Sequence, residues 1–383
     1  MVIEFNEIHS VCYEANDAGA IYTGRNWTCR GNVIRNNFFH HVHGLGGRFV
    51  MGVYLDDMFS SADVNDNLFY RVLNAVVIGG GPAGLSAAQT LAEQGGSVLV
   101  VEESPQLGGA LNFQRLHTDS YWNSDLRDKM VSDTSRYVNI DVMTDALASS
   151  LYSEGWLSVL RGNRLFKIRA GSVIVATGSI EQPAVFRNND RPGVLLATAA
   201  ERLLRLYGVR PGRIGVVLTA NDAGYGLVLD CLAAGIIVAA VVDMRNTPRG
   251  SLRDAVLARG VKVHDGQIIS EVRGRDKVRG VETARLTDTG KWQRNGGTME
   301  CDFVAMSVGH TPNGSLIWQS GGAFTYDDAR ALHMVSHLPD NIFAAGAVNG
   351  MVSTEKCIAD GTRAAKASLD PDNKVLEPID DPG

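Results

Sequence analysis

Ala75-Val76-Val77-Ile78-Gly79-Gly80-Gly81-Pro82-Ala83-Gly84 runs from an apolar stretch straight into a glycine-rich turn. The four apolar residues lack polar alternation, as in a parallel strand buried on both faces. Leu85 to Gln94 then reads as a helix that Gly95-Gly96 ends. Ser97 to Val101 is a second buried strand, with Glu102 at its end. At this spacing Gly79 permits the tight turn, Gly81 lets backbone approach a pyrophosphate, and Gly84 lets the helix pack closely on the strand. Pro82 and Ala83 open the helix, where a missing N–H costs nothing. Glu102 can accept hydrogen bonds from an adenosine ribose, and its charge disfavours a 2′-phosphate. The full sequence of strand, turn, helix, strand and acid predicts an adenine-dinucleotide site, for FAD or NAD. A glycine-rich turn without ligand accounts for the loop but not for that context.

Three segments further along extend this reading. Pro105-Gln106-Leu107-Gly108-Gly109 follows the second strand, at a turn that passes near the cofactor in flavoproteins of this type, and nominates Gly108 and Gly109. Ser172 to Val175 is a strand that leads into Ala176-Thr177-Gly178, after a β-meander over Trp156 to Ile168 turning at Gly162-Asn163. Asn341 to Gly346 is a strand followed by Ala347, and a helix from about Ser353 to Ala367 packs back on the sheet. Thr177, Gly178, Gly346 and Ala347 therefore join the candidate site.

A second strand–helix–strand unit lies between these segments. Arg213 to Thr219 is a strand, Asp222 to Ala234 a helix, and Ile236 to Val242 a strand ending at Asp243. Thr219 and Asn221 stand where the first two glycines of a fingerprint belong, and Gly224 alone is kept. Side chains there crowd a pyrophosphate. Either a nucleotide sits differently, against Asn221, Asp222 and Asp243, or the unit is structural. The predicted fold is α/β, with two Rossmann-like dinucleotide-binding domains, the second inserted in the first. The expected divisions are 75–185 with 300–369, an insert over 186–299, and a tail over 370–383.

Residues 1–74 read differently. Val2 to Val11, Val33 to Val42 and Asp63 to Val72 align with Asn6, Asn37 and Asn67 in register, and Ala20-Ile21-Tyr22 matches Gly52-Val53-Tyr54. A repeat of about 30 residues points to a solenoid, and stacked asparagines suit a parallel β-helix. Through DAGAIYTG, GNVIRNNFFHHV, GVYLDD and DVNDNLFYRV the stretch resembles right-handed, pectate-lyase-like β-helix proteins. It begins in mid-rung and without a cap, so it reads as a fragment of a longer β-helix, joined by fusion or by an error of assembly. Asn74 to Gly81 suits either a further rung or the first strand of the next domain. Asp56 and Asp57 are expected in a solvated turn, and His40, His41 and His43 in an exposed loop rather than around a metal.

The chain has 383 residues, 42 glycines and a net charge of -6, which argues against a nucleic-acid binder. Its five cysteines, Cys12, Cys29, Cys231, Cys301 and Cys357, form no CxxC and no metal spacing. A reducing, cytoplasmic setting follows, without a redox disulfide or iron–sulfur cluster. No signal peptide and no membrane-spanning run is read.

From about Ala75 to Ser368 the chain resembles the alpha subunits of heterotetrameric sarcosine oxidase and related amine and amino-acid dehydrogenases, with opine oxidase and hydrogen cyanide synthase subunits. The resemblance rests on GGGPAG, VEESPQLGGAL, ATGSIEQPAVFRNNDRPGVLLATAAERLL, LTANDAGYGL, CDFVAMSVGHTPN with QSGGAF, and AAGAVNGMVSTEKCIADGTRAA. The NNDRPGV segment (Asn188 to Val194) and Asn221-Asp222 are more specific than any generic nucleotide-binding signature. The resemblance implies FAD, or NAD at the same or the second site, and a beta subunit that carries the amine-oxidising flavin. Ordinary two-dinucleotide flavoproteins place an Asp on a flavin ribityl hydroxyl where Ala347 stands; the resembled group is similar in lacking it. The group's ferredoxin-like segment, cysteine cluster and folate-binding half have no counterpart here, so iron–sulfur transfer and folate coupling are not expected.

The expected function is thus that of a subunit in an FAD-dependent oxidoreductase acting on the C–N bond of a secondary amine or amino acid, with no catalytic residue of its own. His310, His117 and Cys301 read as structural groups. The alternatives are an NAD(P)H-dependent flavin reductase, an inactive nucleotide-binding scaffold and, from another class, a carbohydrate-active β-helix protein.

Overall fold

In the computed structural model, residues 1–11, 18–23, 31–42, 50–55, 62–70, 75–115, 117–118, 120–152, 155–287, 290–293 and 296–369 are described. The helices are α1 (Pro82–Glu93), α2 (Ser120–Ser135), α3 (Ala197–Tyr207), α4 (Ala223–Ala233), α5 (Ser251–Leu257), α6 (Ser315–Gln319) and α7 (Thr354–Leu369).

Ala75–Ile78 is the middle strand of a five-stranded parallel sheet, ordered Ile140–Met143, Val98–Val101, Ala75–Ile78, Ser172–Val175, Ile342–Ala344. It opens this sheet and is not a further rung. All four of its residues are buried because both faces of the sheet are covered. Ala75 and Val77 share a core with Ala87 and Leu91 of α1 and Ala364 of α7. Val76 and Ile78 point the other way, into a core with Leu157 and Val159 of the antiparallel meander Ala146–Leu151, Trp156–Arg161, Arg164–Arg169.

The second parallel sheet is ordered Val194–Leu196, Phe303–Ser307, Ile214–Thr219, Ile237–Asp243, Val263–Asp265. This corrects the boundary expected at residue 299. Phe303–Ser307 pairs with Val194–Leu196 and Ile214–Thr219, so it belongs to the second sheet and not to the first. Its five residues are all buried, and a buried strand of that kind reads alike in either sheet. Helices α3, α4 and α5 cover one face, and the antiparallel strands Gln267–Arg273 and Gly280–Leu286 cover the other. The NNDRPGV segment anchors on those strands, with Asn188 in the left-handed region at φ 64° and its Nδ2 donating to the Val272 carbonyl. An antiparallel ribbon, Ser179–Glu181 against His310–Pro312, carries the chain between the two units.

The 30-residue repeat stacks as parallel strands. Val2–Glu4, Asn32–Arg35 and Ala62–Asn65 form one sheet, and Glu7–Val11, Phe38–Val42 and Leu68–Tyr70 a second. Asn6 Nδ2 donates to Asn37 Oδ1 (3.0 Å), and Asn37 Nδ2 donates to Asn67 Oδ1 (3.0 Å). The residue before each ladder asparagine has positive φ: Phe5 57°, Asn36 54°, Asp66 53°. That left-handed step turns the chain from one strand to the next, and the amide ladder holds the turns in register. The rungs meet the core through Phe38, whose ring lies 6.5 Å from that of Trp156 in the meander. Arg169 covers the same indole at 5.3 Å. Asp56, Asp57, His43, Cys12, Cys29, the 370–383 tail and the side chains of His40 and His41 lie outside what is described.

Candidate dinucleotide site

The site is built where Ala75–Ile78 ends and α1 begins. Gly79 has φ 108°, and a Cβ there would lie 2.3 Å from the Ala176 carbonyl oxygen. A Cβ on Gly84 would lie 1.9 Å from the Gly79 carbonyl oxygen, so only glycine lets α1 start this close to the strand. Gly81 is different. A Cβ on it would meet nothing nearer than the Gly109 Cα at 3.8 Å. Gly79 and Gly84 are glycine for the fold, whereas the space beside Gly81 is a cradle that a side chain would fill. Pro82 opens α1 after an extended Gly81, and no side chain caps the helix start, which leaves its N–H groups to meet an anion.

Glu102 is buried at the end of Val98–Val101. Its Oε2 accepts from the Gly80 N–H (2.6 Å) and its Oε1 from the Ser104 N–H (2.8 Å). Beyond the expected ribose contact, it thus holds the glycine turn in shape. Each oxygen retains a lone pair beyond these bonds. Gly108 (φ 118°) donates its N–H to the Gly80 carbonyl (2.8 Å), and a Cβ on Gly109 would come within 2.9 Å of the Gly81 Cα. The two glycine turns therefore lie against each other. Thr177 sits next to Gly79 and donates its hydroxyl to the Asn313 carbonyl (2.7 Å); Gly178 accepts from the Asn313 N–H (3.0 Å). Both tie the sheet end to the crossover ribbon.

Gly346 and Ala347 open a 3-10 turn over α7. A Cβ on Gly346 would lie 2.6 Å from the Ala83 Cβ, so this turn borders the helix start. Ala347 offers no acceptor. An acid that sequence reasoning missed stands behind the turn: Asp360, on α7 and 1% exposed. Its Oδ2 accepts from the Gly346 N–H (2.8 Å) and Asn349 Nδ2 (3.1 Å), and its Oδ1 from Arg363 Nε (2.6 Å). The available signal was an acid beside Gly361 on an otherwise small-residue helix face; a Cβ on Gly361 would lie 2.1 Å from the Ala83 carbonyl oxygen.

The second unit's turn is filled by its own side chains. A Cβ on Gly224 would lie 2.4 Å from Thr219 Oγ1. Asn221 Oδ1 accepts from the Ala223 N–H (3.0 Å) and from Ser307 Oγ (3.1 Å), so the start of α4 already has an acceptor. Asp243, fully buried, accepts from the Tyr225 hydroxyl (2.6 Å), the Arg245 N–H (2.9 Å) and the Arg245 guanidinium (2.9 Å). The same guanidinium binds Asp222 Oδ1 (2.9 Å). Burial works to lower the Arg245 pKa, but its bonds to Asp243 and Asp222 outweigh it and the net shift is upward. Burial and the bond to Asp243 push the Tyr225 phenol up. These residues satisfy one another. Thr219 and Asn221 thus fill with side chains the turn that the first unit leaves open beside Gly81.

Of the chemically active candidates, Cys301 is buried and its thiol is pushed up to about 12 by that burial, which makes it inert. His310 lies half-buried on the ribbon. His117 Nε2 lies 3.9 Å from Glu355 at the surface.

Residues 73–365 match the pyridine nucleotide-disulphide oxidoreductase family. The chain is 30% identical over 317 residues to the alpha subunit of sarcosine oxidase from Corynebacterium sp. (strain P-1), covering 77% of this chain and 32% of that protein. It thus spans about a third of the length of the sarcosine oxidase alpha subunits it matches. Among solved structures it is similar to L-proline dehydrogenase from P. horikoshii, with TM-score 0.62, 22% identity, 82% of this chain and 58% of that one. It is also similar to T. acidophilum thioredoxin reductase, with TM-score 0.59, 19% identity, 77% of this chain and 97% of that one. At those identities the likeness concerns the fold alone. No helix among the described residues is long and apolar enough to cross a membrane. With the match spanning both sheets and both glycine turns, the chain belongs to the pyridine nucleotide-disulphide oxidoreductase family.

Proposed function

We propose that this chain is a dinucleotide-binding subunit of an amine- or amino-acid-oxidising enzyme, with FAD held by the first unit. The cradle beside Gly81 is the observation that carries the reading, because it is the one glycine of the turn whose side-chain space no protein atom needs. The N–H groups at the start of α1 would hold the pyrophosphate, Glu102 the adenosine ribose, and Gly108, Gly109, Gly346 and Ala347 the walls of the site. Bound flavin would supply the acceptor for the hydride of a C–N bond. The chain's own residues bind and orient. The second unit does not hold a nucleotide in this reading, since Asn221, Asp222 and Asp243 are engaged with one another and with Arg245.

Disulfide chemistry, which the family name includes, finds no paired cysteines among the described residues. Cys231, Cys301 and Cys357 form no disulfide, and burial pushes the first two thiols up to about 12. Support for an amine donor and for a partner comes from relatives named as the alpha subunit of sarcosine oxidase and as one of the subunits of opine oxidase. A second reading, NAD in the same cradle with the flavin on the partner, is favoured by Ala347, which offers no acceptor for a ribityl hydroxyl. An absorption spectrum of the purified chain, with the molecule released on denaturation identified, separates the two. Flavin bands and released FAD are expected. A colourless protein that releases NAD assigns the redox centre to the partner, and a protein that releases neither and binds neither sinks the reading.

A further inference from the structure

The segment after Gly108-Gly109 does not stay on its own unit. Phe113 is buried under the guanidinium of Arg202 on α3, 4.5 Å from its ring centroid. Arg115, buried, sends its Nε to Asp230 Oδ1 on α4 (2.6 Å). Asp230 is held from its own side by Arg205, whose Nε and second terminal nitrogen reach both carboxylate oxygens (2.7 and 2.8 Å). The backbone of Arg115 is fixed as well. Its amide faces the buried carboxyl of Glu201, and its carbonyl lies where a Cβ on Gly226 of α4 would approach to 2.3 Å. On the near side Asn123 of α2 donates to the Gln114 carbonyl (2.9 Å).

We propose that residues 108–115 form a strut by which the second unit holds the Gly108-Gly109 turn against the first dinucleotide site, with Arg115 as the anchoring, positioning residue. This rests on the reading that the first unit binds a dinucleotide. It also gives the second unit a function that needs no nucleotide of its own. The chain from Gly109 to Arg115 is short and tightly bonded: the 3-10 turn Gly109–Asn112 closes through Phe113 N–H to the Ala110 carbonyl and Gln114 N–H to the same oxygen. A displacement at Arg115 has little slack to absorb it before it reaches Gly109, whose Cα side abuts Gly81. Coupling of this sort runs through packed contacts with defined alternatives, docked or released. Arg115 directs its guanidinium to Asp230 and the Thr118 carbonyl, yet it sets where one wall of the cradle stands.

The test uses the whole chain in three variants. Arg115→Met removes the anchor, and Gly226→Ala forces the Arg115 carbonyl off α4 without changing a charge. Val256→Ala loosens the second unit's core on α5 without touching the strut. Hydrogen exchange is read over residues 104–115, and FAD and NAD are titrated separately. Both strut variants are expected to exchange faster over 104–115 and to bind the dinucleotide about tenfold more weakly. Val256→Ala is expected to lower the melting temperature and leave both readouts unchanged. Wild-type exchange over 104–115 in a folded strut variant overturns the proposal, as does a Val256→Ala protein that reproduces the loss. If Arg115→Met fails to fold, Gly226→Ala decides alone. Should the wild-type chain bind neither FAD nor NAD, the first-site reading fails, while the exchange data still judge the strut by themselves.

Discussion

Replacing Gly81 by alanine separates a ligand cradle from a folding requirement. Gly81 has φ −79° and ψ −177°, a conformation alanine adopts freely. The new Cβ would meet only the Gly109 Cα, at the ordinary contact distance of 3.8 Å. The fold should therefore accept it, at a cost of about 1 kcal/mol for a poorer helix cap, or about 2–4 °C in melting temperature. The methyl group projects into the approach to the α1 N-terminus and would hold a pyrophosphate off those N–H groups. Loss of one charge-assisted hydrogen bond costs about 1.5–3 kcal/mol, which is about ten- to a hundredfold in Kd. Gly84→Ala is the contrast. Its Cβ would lie 1.9 Å from a backbone oxygen that cannot swing away, so about 3 kcal/mol or more of stability should go with it. Flavin-fluorescence titration with FAD, calorimetric titration with NAD and thermal melts measure all three effects. Wild-type affinity for both dinucleotides in Gly81→Ala refutes the reasoning, because the protein itself gives no other use for that space.

Other residues can be tested in the same way. Glu102→Gln leaves the Gly80 or Ser104 N–H without its acceptor, costs about 1–3 kcal/mol and removes the charge that opposes a 2′-phosphate; the ratio of NADP to NAD affinity should rise, and an unchanged ratio rejects the assigned role. Burial, with Asp230 and Glu181 nearby, holds the Glu201 carboxyl well above the usual carboxylate range, against the Arg115 amide and Arg205, which pull it down. Neutral in the fold and ionised in the unfolded chain above about 4.5, Glu201 contributes stability that is complete below that pH and declines as pH rises towards its folded pKa. Glu201→Gln should flatten that decline and melt higher than wild type at alkaline pH; parallel curves across pH count against it. Asn37→Ala, at a residue 1% exposed, strips partners from Asn6, Asn67 and the Ile3 carbonyl. Protease cleavage should then rise within residues 1–70 while the core melting transition stays put, and equal sensitivity of both regions would contradict it.

Much of the architecture was legible because its causes are local. Ala75–Ile78 announces a strand covered on both faces, and Gly79 to Gly84 announces the turn, since the Gly84 contact with the Gly79 carbonyl is set within a few residues. The rung register was legible for a similar reason: a repeat of fixed length can place Asn6, Asn37 and Asn67 in one ladder and in no other. What escaped the sequence has distant causes. Phe303–Ser307 is apolar throughout, and nothing in it says which of two parallel sheets it completes. Nothing in the sequence around Arg115 points to its partner, since Asp230 stands 115 residues away. Asp360 hides within a helix of small residues, although its carboxylate organises the turn at Gly346. The Thr219-to-Gly224 turn showed its missing glycines at once. Whether the side chains found partners was decided by Ser307, Tyr225 and Arg245, which only the fold brings together.

The pairing of Asp243 with Arg245 also limits how the second unit can change. Asp243 is fully buried, and two of its donors come from one guanidinium. Taking Arg245 away alone leaves the buried Asp243 without its cation, at about 3–5 kcal/mol. Taking Asp243 away alone leaves the Tyr225 hydroxyl without the acceptor it has there and Arg245 with Asp222 alone. Restoring glycine at Thr219 and Asn221 opens the turn but does not free the acid beyond it. Single substitutions of either partner therefore lead downhill in stability, and only concerted replacement of the acid, its arginine and the turn avoids both losses. For directed evolution this unit is a valley crossing.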